Sequence, residues 1–405
     1  MTHMSIAFLS ARRRAILGTL AALAVAATLV ACSSTPVPPA APVPAPSAPA
    51  RTDAPATPAT SPASPALGPT TLRPRARWVA AAWRELPGWT ADRQHEVWPA
   101  LLRSCDRPAP GWTATCAEAL RDAPALLGDD LAARTWLKSR LRPWRVETLE
   151  GESSGLATGY FEPLIEASRH SRPGFRVALH APPPDLASRR PYWTRQQLDS
   201  LPAARRALAG HEIAWVRDPL DALLLQVQGS GRLVFVDERA RTRTLVRLAY
   251  AAHNEQPYKS VGRWLVEQGE LRLEQASWPA IRAWARQNPR RVDEMLWSNP
   301  RAVFFREEPL PDPEVGPKGA QGVPLTPGRS IAVDPQSIPY GTPVWLDTTE
   351  PLSAVPLRRL VVAQDTGSAI TGAVRADYFW GWGDAAEAQA GRMKQALRLW
   401  VLWPR

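Results

Sequence analysis

Cysteine is scarce: three residues in a chain of 405, against six histidines. The histidines never pair at metal-binding spacing, with no His-Glu-x-x-His and no Cys-x-x-Cys, so nothing visible calls for a metal or another cofactor. Long apolar runs are missing too. The longest, Ala15 to Val30, falls short of the ~20 residues that a membrane span needs. Acidic residues are in deficit, 38 against 49 Lys and Arg, and the net charge of +11 rests mostly on arginine. A basic surface attracts polyanions. No dense Lys/Arg block interleaved with aromatics stands out, which argues against a nucleic-acid partner.

The N-terminus explains the one apolar run. Arg12-Arg13-Arg14 precede it and Leu29-Val30-Ala31-Cys32 follow it. Charge, apolar stretch and small residues in that order predict a signal peptide over 1–31. The cysteine directly after is that of a lipoprotein signal, cleaved before Cys32 and leaving Cys32 lipidated. Ser33, rather than Asp, follows, which in Gram-negative lipoproteins permits transfer to the outer membrane. The expected location is therefore the outer membrane, lipid-anchored and facing the periplasm. Export makes anionic envelope material the natural partner for the positive charge. Residues 32–74 are almost wholly Pro, Ala, Ser and Thr beyond the cysteine. They have little to bury and read as an extended tether, or less readily as a ligand for a Pro-recognition module.

The remaining ~330 residues suit two domains on ordinary domain sizes. Cys105 and Cys116 suggest a local disulfide, since a zinc site lacks further ligands nearby. Apolar residues three and four apart predict short helices over 94–141. The period then changes, and 144–163 reads as a β-hairpin turning at 151–155. The middle, 166–306, is mixed, and short strands resume beyond Gly319. Strands on both sides of a mixed middle imply one β-domain, 75–165 with 307–405, interrupted by an inserted domain. Frequent turns favour a small barrel over an open sheet. The eighteen tryptophans suit either a core or sugar-stacking surfaces.

Several motifs have bland readings. Gly-Glu-Ser-Ser-Gly at 151–155 matches a serine-hydrolase elbow, but a strand rather than a helix is expected after it, which excludes the elbow. Gln-Gly-Ser-Gly-Arg at 228–232 lacks the Gly-Lys-Ser/Thr ending of a phosphate loop. It reads as a hairpin turn or as a close backbone approach to a ligand, with Gln226, Gln228 and Ser230 as hydrogen-bonding candidates. Asp365 ends an apolar strand and has the spacing of a turn cap. Asp377 has no such excuse. It stands before Tyr378-Phe379-Trp380, where aromatic neighbours would desolvate it and raise its pKa toward the general-acid range.

Three stretches then coincide: AVDPQSIPYGTPVWL (332–346), AQDTGSAITG (363–372) and RADYFWGWGDAAEAQAG (375–391). Together they resemble the three-aspartate domain of bacterial cell-wall enzymes, with Asp334, Asp365 and Asp377 as the acids. With TGYFEP (158–163) and QVQGSGRL (226–233), the chain from about 75 onward resembles the membrane-bound lytic murein transglycosylase A family. Ser368 stands where many members carry a second glycine. The resemblance implies a double-psi β-barrel interrupted by an inserted mixed, mostly β domain, with a groove between them. It implies peptidoglycan glycan strands as substrate, 1,6-anhydro-N-acetylmuramic acid as product, and the outer membrane and other cell-wall enzymes as partners. By position, Asp377 falls on the catalytic acid and Asp365 on a second acid of the same site. Thr158, Gly159, Tyr160, Gln228, Gly229, Ser230 and Trp380 fall on the substrate groove, while Asp334, in an Asp-Pro turn, reads as structural.

That chemistry accounts for a single acid. The substrate's own C6 hydroxyl attacks, so no second carboxylate is needed to activate water. Two rivals remain: a hydrolytic muramidase using Asp365 as second carboxylate, which leaves a reducing end, and an envelope lipoprotein that binds glycan without turnover.

Overall fold

The computed structural model describes residues 69–237 and 241–405. The expected signal peptide, Cys32 and the tether up to residue 68 lie outside the described residues. β1 (Thr70–Arg73) and β2 (Ala76–Ala80) form an antiparallel pair with Thr70 opposite Val79. Folded structure thus begins inside the stretch read as tether. Three helices follow, α1 (Trp98–Cys105), α2 (Thr113–Leu126) and α3 (Asp130–Arg140). Asp129 starts α3 by accepting from the N–H groups of Leu131 and Ala132, each at 2.9 Å. Cys105 and Cys116 are joined, S–S 2.07 Å, which ties α1 to α2.

β3 (Leu141–Glu147) and β4 (Gly155–Glu162) occupy the stretch read as a hairpin, but they do not pair with each other. Alternation marks a segment as a strand and says nothing about its partner. A single residue, Pro163, then leads into β5 (Leu164–Ala167). Next come β6 (Val177–His180), α4 (Arg195–Ser200), α5 (Pro202–Leu208), β7 (Glu212–Val216) and α6 (Pro219–Gln228). They are followed by β8 (Ser230–Asp237), β9 (Thr242–His253), α7 (Val261–Glu267), α8 (Trp278–Gln287), α9 (Val292–Trp297) and β10 (Val303–Pro309). One sheet runs β10-β9-β8-β5, and β6-β7 form a separate pair. The described middle region carries α4 to α9 beside these strands, so it is mixed rather than mostly β. Ala222 and Leu225 of α6 pack on the strands, while the other face of α6 packs with α7, α8 and α9 in a second, all-helical cluster.

The chain then returns through β11 (Ser330–Val333), β12 (Thr342–Thr349), β13 (Pro356–Asp365), β14 (Arg375–Trp382), α10 (Gly383–Ala390) and β15 (Lys394–Pro404). The large sheet runs β1-β2-β3-β15-β12-β13-β11-β14-β4, and β4 also pairs with β15. The described chain is mainly β with helices. On one side, Trp98 and Trp136 from the helices and Trp112 just before α2 share a core with Trp345 and Trp400 of the sheet. All eighteen tryptophans are buried or half-buried, and most of them pack in the hydrophobic cores.

The two sheets meet at a charge cluster. Glu162, at the end of β4, is fully buried and accepts from Arg232 Nε of β8 at 2.7 Å and Arg247 Nε of β9 at 2.6 Å. The spare guanidinium donors go to the carbonyls of Pro313 and Val315, and Arg232 lies 3.9 Å over the Trp382 ring.

Candidate active site

Strand register places the two acids in one row. Ala332 of β11 pairs with Asp365 on one side and with Asp377 on the other, and Asp377 in turn pairs with Thr158 of β4. Directly paired residues point to the same face, and each strand adds about 4.8 Å. One strand, β11, therefore separates Asp365 from Asp377, with the small side chain of Ala332 in the row between them. The two acids thus lie in one row across three neighbouring strands.

The Asp377 carboxyl is half-buried. Thr158 Oγ1 donates to its Oδ1 at 2.6 Å, and Arg375 Nη2 donates to Thr158 Oγ1 at 2.8 Å. Burial pushes the Asp377 pKa up, against the opposing pull of the Thr158 hydroxyl and the Arg375 charge. The acid is thus poised to hold a proton longer than an ordinary aspartate.

Asp365 is held differently. Its Oδ1 accepts from the backbone N–H groups of Ala320 and Thr366, each at 2.9 Å, and Tyr160 Oη donates to Oδ2 at 3.0 Å. The turn-cap reading from sequence therefore describes part of its environment. Burial nevertheless raises it to about 6, the two backbone donors and Tyr160 pulling the other way and the Asp377 charge adding to the rise. The same burial and the two acids raise Tyr160 well above the ordinary tyrosine range, so its hydroxyl stays a donor.

A pH prediction follows from Asp365. Its folded pKa, about 6, lies above the ordinary 3.8, so between those values the native chain holds a proton that the unfolded chain has lost. Its contribution to stability is present below about 4 and fades as pH rises through about 6. Asp365→Asn removes this dependence. The stability of the variant minus that of the wild type should rise by ~2–3 kcal/mol from pH 4 to pH 7 in urea denaturation. A difference that stays constant with pH would contradict the buried position of the carboxyl.

The other sequence-derived residues divide into two groups. Gln228 Oε1 accepts from the Phe161 N–H at 3.1 Å, which pins the end of α6 to β4 beside the site. Gly229 closes α6 in the left-handed region, φ 79°, and Ser230 begins β8, so the Gly-Ser-Gly run is a helix-to-strand junction and not a hairpin turn. Gln226, on α6, accepts from Arg195 Nη2 of α4 at 2.7 Å and from the Val303 N–H of β10 at 3.3 Å, so its side-chain oxygen is engaged within the middle region.

Trp380 also departs from expectation. Alternation along β14 sends Phe379 to the side of Asp377, where it stacks with Tyr160 at 5.1 Å. Tyr378 and Trp380 turn to the opposite face and meet edge-on at 4.9 Å. Trp380 packs on Gly159: a Cβ there would lie 2.6 Å from the indole Nε1 and 2.9 Å from the Ala390 Cα. The glycine permits close packing, and Trp380 does not wall the acid. Asp334 is buried and accepts from Arg75 at 3.1 Å and from the Gly372 N–H at 2.9 Å, which braces the loop leading to β14.

The sequence reading missed Arg375 and Glu162. Arg375 was visible two residues before Asp377, one strand period away on the same face. Glu162 was visible as an acid inside an otherwise apolar strand end. A separate cavity of about 170 Å³, lined by Glu166, Asp221, Arg282 and Glu387 among others, touches neither catalytic candidate.

The comparisons with known proteins give the family. Residues 156–306 match the profile described as the MltA specific insert domain, and residues 329–403 match the 3D domain. The membrane-bound lytic murein transglycosylase A of Vibrio cholerae is 32% identical over 262 residues, which span 62% of this chain and 67% of that protein. A solved lytic transglycosylase, LtgG, of Burkholderia pseudomallei is 46% identical, with a TM-score of 0.56 over 84% of this chain and 98% of that one. The structure of Escherichia coli MltA with bound chitohexaose is 26% identical, with a TM-score of 0.62 over 77% of this chain and 90% of that one. On the fold, the placement of the acids and these similarities, the chain belongs to the membrane-bound lytic murein transglycosylase A family.

Proposed function

We propose that this chain is a peptidoglycan lytic transglycosylase in which Asp377 is both general acid and general base. The observation that carries this reading is the Asp377 carboxyl, half-buried, raised in pKa and bonded to Thr158 at 2.6 Å, in a row with a second acid. The protonated acid gives its proton to the oxygen of the β-1,4 bond between N-acetylmuramic acid and N-acetylglucosamine. As the C1–O bond breaks, the C6 hydroxyl oxygen of the same muramoyl residue bonds to C1. The Asp377 carboxylate takes the proton released from that hydroxyl, which restores the acid and leaves a 1,6-anhydromuramoyl end. No water enters, and the attacking group is already tethered.

Asp365 has a supporting role in this reading. Its own raised pKa and its bonds to Tyr160, Ala320 and Thr366 fix it as a wall of the site that orients the sugar. Gln228 and Ser230 line the approach from the second sheet, and Gly159 and Gly229 shape it without side chains.

The finer architecture belongs to the same proposal. Residues 75–165 and 307–405 form a double-psi β-barrel, and 166–306 are inserted into it. In support, the pairings β15-β12-β13-β11-β14-β4 return to β15. Lipidation at Cys32 would hold the enzyme at the outer membrane, facing the periplasm. Among the described residues no helix is long and apolar enough to cross a membrane.

The test is mass spectrometry of muropeptides released from purified sacculi by the full-length chain in detergent. Products lighter by one water than hydrolytic muropeptides are expected. Reducing-end products would instead establish a hydrolase with Asp365 as the second carboxylate. Binding to sacculi without any release would leave a glycan-binding lipoprotein.

A further inference from the structure

We infer that Arg375 is a positioning residue for catalysis: it fixes the Thr158 hydroxyl as a donor to Asp377 Oδ1, so that Oδ2 is the oxygen that carries the catalytic proton. The inference rests on the proposed role of Asp377 and assigns which of its two oxygens works.

The geometry begins with the anchoring of the guanidinium. Arg375 Nη1 donates to the carbonyl of Ala376 at 2.6 Å and to that of Leu156 at 3.3 Å, which spans β14 and β4. Nη2 is thereby directed at Thr158 Oγ1, 2.8 Å away. A guanidinium can only donate. The threonine oxygen therefore accepts from Arg375, and its single proton is free to point at Asp377 Oδ1, 2.6 Å away. An oxygen that already accepts a short bond from a hydroxyl is the poorer place for the carboxyl's own proton. The acid proton accordingly sits on Oδ2.

Without Arg375 the direction is lost. Thr158 could then accept from a protonated Oδ1 and hand its own proton to a backbone carbonyl or to water. The catalytic proton would be held in a side bond, facing away from the glycosidic oxygen. The arginine also sets the electrostatics. Around Asp377 stand Arg375 on its own strand, Thr158 and Tyr160 on β4, Asp365 on β13, and Lys394 on β15, paired with Thr158 and exposed. Ala332 of β11, between the acids, carries no charge. Arg375 is the cation whose field holds down the pKa that burial raises.

Four variants of the full-length chain test this: Arg375→Gln, Arg375→Lys, Thr158→Val, and the Arg375→Gln/Thr158→Val double. On isolated glycan strands, Arg375→Gln is expected to lower kcat by roughly tenfold to a hundredfold with KM within about twofold, the scale of a misdirected catalytic group. The basic limb of the kcat profile should move to higher pH, since removing a cation raises the pKa of the acid. Arg375→Lys keeps the charge but cannot span both carbonyls and the hydroxyl. It should restore the position of the limb while recovering only part of kcat. The double variant should be no slower than Thr158→Val alone, because Arg375 acts through Thr158.

Multiplying effects in the double variant would overturn the inference. So would a loss in KM and thermal midpoint without movement of the limb, which is what a merely structural arginine would give. A readout independent of turnover covers failure of the functional reading itself. In carboxyl-carbon NMR, with the Asp377 signal assigned from Asp377→Asn, the midpoint should rise in Arg375→Gln and return in Arg375→Lys. An unchanged midpoint would overturn the inference even if the wild type released no anhydro product.

Discussion

Asp377→Asn is expected to lower turnover of glycan strands by at least about 10³-fold, because in the proposed mechanism one group supplies both proton transfers. Asparagine keeps the shape and can still accept at Oδ1 from Thr158, so the bond now measured at 2.6 Å survives. What disappears is a proton that can leave and return. Binding should persist, since burial of a neutral amide in place of a carboxyl with a raised pKa relieves a desolvation penalty. The thermal midpoint should hold or rise slightly for the same reason. The paired measurement is kcat on isolated strands and affinity for the same strands. Residual turnover above a tenth of wild type would move the acid role to Asp365, whose pKa of about 6 makes it the other carboxyl able to carry a proton near neutrality.

Glu162→Gln is expected to be the most destabilising single change, by about 3–5 kcal/mol, the range for breaking a buried ion pair by removing one partner. The carboxylate is fully buried and answers two arginines at 2.7 and 2.6 Å. An amide there would leave both guanidinium charges without an anion in a dry junction. Their remaining bonds to the Pro313 and Val315 carbonyls do not neutralise them. Because β4 also carries Thr158 and Tyr160, loosening its end should disturb the acids as well. Urea denaturation reads the stability, and a second change, Arg247→Met, made on top of Glu162→Gln should recover part of the loss by removing one of the stranded charges. A loss below about 1 kcal/mol would mean that the junction takes up water on mutation, and the cluster would then not be what joins the two sheets.

Much of the site was legible because its chemistry is written in short local runs. Asp365 and Asp377 stand out as acids in apolar strands, Thr158 and Tyr160 were placed by the family resemblance, and hydrogen bonds join them as two pairs, Thr158 to Asp377 and Tyr160 to Asp365. The helices of 94–141 were legible from periodicity, since an amphipathic helix carries its own burial pattern. Strand partners were not. β3 and β4 alternate as a hairpin would, yet they are held apart, and β15, more than two hundred residues later, pairs with both. Nothing local to either strand encodes that choice.

The aromatic run shows the same limit at the scale of one residue. Three rings after Asp377 read as one wall, but a period of two sends Phe379 to the acid and turns Tyr378 and Trp380 away. The local sequence determined by itself that Asp377 stands beside aromatics that would desolvate it, and the family resemblance assigned it the acid role. Only the tertiary structure decided how that acid is held. Arg375, Thr158 and Asp377 form a chain across two strands that are neighbours in space and 219 residues apart in sequence. Hydrogen bonds of that kind depend on register, and register is set by long-range packing that no local pattern records.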